Sequence, residues 1–213
     1  MFALSKFFLD SVWYFVTFWI GRYLVDVQHL TLTQIGFYAI LPFVIADIGN
    51  IAGGYFTQFI IKRGMQIHKA RKLAVCLSAG IMAAPLLAAP FVITSPLSAF
   101  IVYGITGFGY TSYTANSLAT PADGVPPSAT ATVWGLGCIG TRLGGAFFNF
   151  LSGCVLTVIT TSEGYTAGYN FLFLGYGVLA IIGLLVVWLL MGPFTKNEGV
   201  ICLGRRETKR QFE

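Results

Sequence analysis

The chain predicts an all-α integral membrane protein of six transmembrane helices, on three observations. Hydrophobic residues make up 56% of its 213 positions and charged residues only 10%, a balance that soluble cores do not use. Cutting the chain at its charges and Pro/Gly clusters leaves six apolar runs of about the 20 residues a bilayer requires. The basic residues gather in two places that an even count of crossings puts on one side. They are the segment from Lys62 to Lys72 and the tail holding Lys196, Arg205, Arg206, Lys209 and Arg210.

The first run, residues 7–27, follows Lys6 and is too long and aromatic for the apolar part of a signal peptide. The second, 37–61, carries an acid at its middle, Asp47, and aligns Asp47, Asn50, Gly54 and Gln58 on one side, with Pro42 near its start. The third, 73–93, has almost no polar face and contains Pro85 and Pro90, which remove helical hydrogen bonds. In the fourth, 97–119, Tyr103, Thr106, Tyr110, Tyr113 and Ser117 share a face. The fifth, 131–160, lines up Trp134, Cys138, Arg142, Gly145, Asn149 and Ser152, and the sixth, 169–191, is apolar throughout. Polar stripes mark helices one, two, four and five as cavity-lining, and three and six as lipid-facing supports. Residues 1–195 thus read as one transmembrane unit and 196–213 as a basic cytoplasmic tail, with both termini cytoplasmic.

An ionisable group in hydrocarbon is costly and by default marks an ion or substrate path. Counting residues from the basic end of the second helix and the cytoplasmic start of the fifth puts Asp47 and Arg142 at the same depth, about 20 Å in. Three readings stay open: a structural ion pair, an ion pair that gates, or a lone proton carrier at Asp47. Gly49 with Gly53, and Gly140 with Gly144, have the small-residue spacing that lets helices approach closely.

Other chemistries find no support. Cys76, Cys138, Cys154 and Cys202 make no CxxC pair, and with His29 and His68 alone no metal site is expected; nor is a cofactor. No nucleophile with a base can be nominated for an enzyme, and Thr106-Gly-Phe-Gly-Tyr110 has its glycines in the wrong order for a potassium filter. The net charge of +5 is a topology signal beside anionic lipid, with no basic face left for nucleic acid.

Several blocks carry a resemblance. Asp10-Ser-Val-Trp-Tyr-Phe15, Trp19-Ile-Gly-Arg-Tyr-Leu24, Leu41-Pro-Phe-Val-Ile-Ala-Asp-Ile-Gly-Asn50, Gly53-Gly-Tyr55, Lys69-Ala-Arg-Lys72, Pro121-Ala-Asp-Gly-Val-Pro126 and Val133-Trp-Gly-Leu136 occur in the order and spacing of a known family. The chain resembles the anion:cation symporter branch of the major facilitator superfamily, over its helices seven to twelve. That resemblance implies the carboxyl-terminal six-helix bundle of a proton-coupled carrier for organic anions such as hexuronates, aldonates or aldarates, in the inner (plasma) membrane. Its partners are then a small organic anion, a proton, membrane lipid and a missing amino-terminal six-helix half. The alternative is a non-transporting truncated membrane protein acting as a scaffold or regulatory remnant.

Under the carrier reading, Tyr14, Tyr110, Trp134 and Asn149 are the substrate-binding candidates, because aromatic faces stack on sugar rings and amides bond hydroxyls. Asp47 and Arg142 are the ion-pair or proton-coupling candidates. Gly54, Gln58, Lys62, Arg63 and Arg71 belong to the gating loop, where Gln58 and Phe59 stand in place of the family's Asp and Arg.

Overall fold

The computed structural model describes residues 1–192, and the basic tail expected at 196–213 lies outside the described residues. It is all-helical among those residues: α1 (Phe2–Asp26), α2 (Leu32–Tyr38), α3 (Ile40–Lys62), α4 (Ile67–Val92), α5 (Pro96–Gly124), α6 (Pro127–Glu163) and α7 (Tyr165–Leu190). Four stretches are long and apolar enough to cross a membrane: Leu32–Lys62, α4, α6 and α7. The other two long helices are more polar for identifiable reasons. Lys6, Asp10, Arg22 and Asp26 interrupt α1, and Ser, Thr, Asn and Gly residues dilute α5.

Local chemistry sets the helix ends. Thr31 and Gln34 form a reciprocal capping box, so helix begins at Leu32 rather than near Phe37. A turn at Ala39 then separates α2 from α3, where Pro42 lacks the N–H that would have bonded the Tyr38 carbonyl. Ser95 and Ser98 cap α5 in the same way, with Pro96 in the first turn. Helix α4 runs through Pro85 and Pro90 without interruption. Helix α6 continues for 37 residues, about 55 Å, until Gly164 adopts φ 87°, a conformation that favours glycine.

Contacts between named residues show the direction of each helix. Ala3 lies against Gly140 and Phe7 against Gly144, so α1 and α6 are parallel. Gly49 against Phe108 and Gly53 against Ser112 make α3 and α5 parallel. By contrast α4 runs antiparallel to α5, through Ser78 with Ser112 and Arg71 with Asp123, and antiparallel to α7, through Leu87 with Gly177 and Lys72 with Met191. The six long helices therefore alternate in direction along the chain.

Small residues bring the parallel pairs together. A Cβ on Gly140 or Gly144 would collide with the backbone of Ala3 or Phe7, and one on Gly49 with the backbone of Phe108. Both small-residue spacings read from the sequence are real contact faces. Burial differs from the expected pattern. The apolar helices α4 and α7 are buried over 50% and 44% of their most apolar windows, whereas Leu32–Lys62 and α6 reach only 17% and 22%. The core is built from Phe15 of α1, Met82 and Leu86 of α4, Tyr103 of α5 and Phe173 of α7, so the expected supports are central to it, and Leu32–Lys62 and α6 are the least buried of the four apolar stretches.

Replacing Gly144 by Val should force α1 and α6 apart at a cost of about 1–3 kcal/mol or more, seen as a lower thermal unfolding midpoint in detergent. Gly135, on the same helix with open space where a methyl would be added, should accept Ala with no loss. Equal effects at the two positions would mean that the α1–α6 contact is not as described.

Candidate functional site

On α1, the periodicity of the helix places Tyr14, Phe18 and Arg22 one above another, with Trp19 beside them. The facing stretch of α6 supplies Arg142, Gly145, Ala146 and Asn149. Together these eight residues line a cleft of about 520 Å³, open along the exposed side of the bundle. The Tyr14 ring occupies the space a side chain at Gly145 would need. Glycine there is what lets an aromatic ring form the cleft floor.

Polar groups in the cleft are held in place from several sides. The Arg142 guanidinium donates to the Tyr14 hydroxyl at 2.8 Å, and no carboxylate is in ion-pair range of it among the described residues. Trp19 Nε1 donates to Asn149 Oδ1 at 2.9 Å, while Asn149 Nδ2 donates to the Gly145 carbonyl at 2.8 Å. Both ends of that amide are thus used and the side chain is locked. Phe18 stacks parallel to Tyr14, with ring centres 5.8 Å apart. Arg22 bonds Asp26 at 3.3 Å, and the same carboxylate oxygen accepts from Tyr169 of α7 at 3.1 Å. The cleft therefore carries one unneutralised guanidinium, a second one partly neutralised, and an aromatic wall. Such a surface suits an anion with a hydroxylated body.

Of the residues expected to bind substrate, Tyr14 and Asn149 meet in this cleft and Tyr110 and Trp134 do not. Tyr110 stacks on Trp13 with ring centres 4.8 Å apart and planes within 3°, away from the cleft. Trp134 lies two turns before Arg142 on α6 and is exposed. The expected pairing of Asp47 with Arg142 is not formed in the structure. Equal depth on two helices says nothing about lateral position, and α3 packs on α5 while α6 packs on α1 and α7. Asp47 is exposed on α3, and Arg142 turns to Tyr14.

The gating-loop residues also divide. Gly54 has open space beside it, Gln58 and Lys62 are exposed, and Arg63 lies 4.3 Å from the Phe59 ring centre, a residue one turn before it. Arg71 is tied across helices. It pairs with Asp123 of α5 at 2.9 Å and donates to Asn116 at 3.1 Å, and Asn116 accepts from Thr57 of α3 at 2.5 Å. That network fastens three helices at the basic end of the bundle.

Two features escaped the sequence reading. Trp19 and Arg22 share the helical face of Tyr14, a signal visible in the spacing. Lys6 and Asp10, one turn apart, form a buried ion pair at 3.1 Å.

The chain is 27% identical to the hexuronate transporter of Escherichia coli K12 over 187 residues, 87% of the chain and 41% of that protein. It is 28% identical to the D-galactonate transporter of Escherichia coli O6:H1, over 86% of the chain and 40% of that protein. It is also 24% identical to a probable galactarate/D-glucarate transporter of Bacillus subtilis, over 91% of the chain and 40% of that protein. The chain is a homologue of bacterial sugar-acid transporters. No family model matches it. This homologue spans about 41% of the length of the curated relatives it matches, consistent with a carboxyl-terminal half. It is a multi-pass membrane protein.

Neutralising Asp47 and Arg142 together, as Asp47→Asn with Arg142→Gln, should change stability in detergent by the sum of the single effects, within about 0.5 kcal/mol. Tyr14→Phe combined with Arg142→Gln should deviate from additivity. Coupling in the first pair and none in the second would contradict the described side-chain placement.

Proposed function

We propose that this chain is the carboxyl-terminal half of a proton-coupled carrier for sugar-acid anions, and that the α1–α6 cleft binds the anion. The observation that carries this reading is the cleft itself. Arg142 offers a carboxylate a cation with no acid in ion-pair range among the described residues, Tyr14 and Phe18 offer a sugar an apolar face, and locked Asn149 offers its hydroxyls a polar partner. The cleft volume lies within the range of small-molecule sites. The names of the homologous transporters supply the chemical class, hexuronate, aldonate or aldarate.

The open side of the bundle supports a second half. Asp47, Asn50 and Gln58 of α3 and Arg142 of α6 are exposed, and polar groups facing lipid are costly. In carriers built from two six-helix halves, substrate sits between them and each half rocks against the other. A partner half would cover the cleft and those stripes together. We place the chain in the inner membrane with both ends cytoplasmic, because Lys62, Arg63, Lys69, Arg71 and Lys72 lie at the end of the bundle where α1 starts and α7 stops.

Binding of radiolabelled galactarate, galactonate and a hexuronate to the purified chain, alone and with the complementary half of a homologous transporter, tests this reading. At least one anion should bind, and Arg142→Gln should weaken it on the order of tenfold or more, as loss of a charge-assisted hydrogen bond requires. Accumulation in liposomes under a proton gradient should need both halves. Binding that is indifferent to Arg142→Gln, or full uptake by the chain alone, would refute the assignment.

A further inference from the structure

Below the anion cleft, α1 and α6 enclose a second ionisable site that the cleft does not use. Asp10 is 1% exposed and lies eight residues into α1, about 12 Å from its start. One carboxylate oxygen, Oδ2, does all the bonding: it accepts from Lys6 Nζ at 3.1 Å and from the Thr141 hydroxyl of α6 at 2.5 Å. The other, Oδ1, is buried with no hydrogen-bond partner among the described residues. The Tyr113 hydroxyl of α5 is also buried without one, with Ser5 and Ser117 beside it.

We propose that Asp10 is the site at which this chain takes up and releases a proton. A buried carboxylate oxygen without a donor carries a desolvation penalty that a bound proton removes. In the step, a hydronium O–H bond breaks and releases water, an O–H bond forms at Oδ1, and the carboxylate charge goes from −1 to zero. Nothing else is oxidised, reduced or released.

The groups around Asp10 permit both charge states. On its own helix are Lys6 and, one turn further, Tyr14; α5 contributes Tyr110 and Tyr113; α6 contributes Thr141 and, at the next position, Arg142, which is turned to Tyr14. Next to Asp10, helix α7 meets α1 through Leu9 and Gly183, an apolar contact. When Asp10 is charged, Lys6 neutralises it. When Asp10 is protonated, the Lys6 ammonium keeps the faces of Phe2 and Tyr113, whose ring centres lie 5.7 and 5.8 Å away.

The site is also wired to the cleft. Thr141, which bonds Asp10, and Arg142, which bonds Tyr14, are consecutive on α6, and Tyr14 is one turn above Asp10 on α1. A change in the Asp10–Thr141 bond therefore alters the same helix pair that forms the anion cleft. Linkage makes the effect reciprocal, so anion binding must change proton binding by the same factor. This coupling rests on the carrier reading above, whereas the protonation of Asp10 does not.

Infrared difference spectra of the chain in detergent separate the two. Lowering the pH of the folded protein should produce a carboxylic-acid C=O band that disappears in Asp10→Asn and shifts in Asp10→Glu, a variant that retains a carboxyl group if Asn fails to fold. Adding galactarate at constant pH should raise the same band, with proton uptake in weak buffer read by an indicator dye. No acid band before unfolding, or one that survives Asp10→Asn, would overturn the proton site. A pH-dependent Asp10 band that galactarate leaves unchanged, while galactarate binds, would overturn the coupling. Absence of galactarate, galactonate and hexuronate binding together with the pH-dependent Asp10 band would sink the carrier reading and uphold the proton site.

Discussion

Everything in the functional face of this bundle depends on how closely the backbones of α1 and α6 approach. Gly140 and Gly144 leave no room for a side chain against Ala3 and Phe7, and Gly145 leaves room only for the Tyr14 ring. In a membrane, apolar side chains gain little by meeting one another instead of lipid, so dispersion between closely fitted backbones and polar links must hold helices together. Here the two act in series. The glycine face sets the distance, and at that distance Thr141 reaches Asp10, Arg142 reaches Tyr14 and Trp19 reaches Asn149. Three polar links spaced along one interface fix its register as well as its separation.

The other parallel pair repeats this solution with different residues. Gly49 and Gly53 let α3 close on Phe108 and Ser112 of α5, and Thr57, Asn116 and Arg71 lock the basic end of that contact. Between the two pairs the contact is aromatic, with Trp13 stacked on Tyr110 and the Lys6 ammonium over the Tyr113 ring. Stacked rings can slide in a way that interlocked backbones cannot, because the stack has no donor and acceptor to keep aligned. The apolar helices α4 and α7 close the back of both pairs around Met82, Leu86 and Phe173. A division into two tightly fastened pairs with a softer seam fits the proposal that a second half moves against the open face.

The fold class was legible because its causes are local. Apolar run lengths, the glycine spacing at Gly140 and Gly144, and the basic segment from Lys62 to Lys72 each act through residues near in sequence. The cleft was half legible. Asn149 and Arg142 stand in a polar stripe and Tyr14 could be nominated as an aromatic face for a sugar, but the stripe does not say which neighbour it faces. That missing lateral information is why Asp47 and Arg142, equal in depth, were matched across helices that do not pack together. It is also why Tyr110 was assigned to a ligand when it stacks on Trp13. Lys6 and Asp10 were open to reading at one-turn spacing within an apolar helix. The sign of their importance, an acid 1% exposed with a bare oxygen, comes only from the packing of α5 and α6 around it.

The contact of α1 with α6 in this register is most directly tested by a disulfide across it. In a background without native cysteines and with Lys6→Met to remove the unpaired cation, Asp10→Cys and Thr141→Cys replace two side chains now joined at 2.5 Å. Mild oxidation should link them within one chain in high yield, while Asp47→Cys with Arg142→Cys should not link. A bond in the control pair and none between positions 10 and 141 would contradict the architecture on which the cleft and the buried carboxyl both depend.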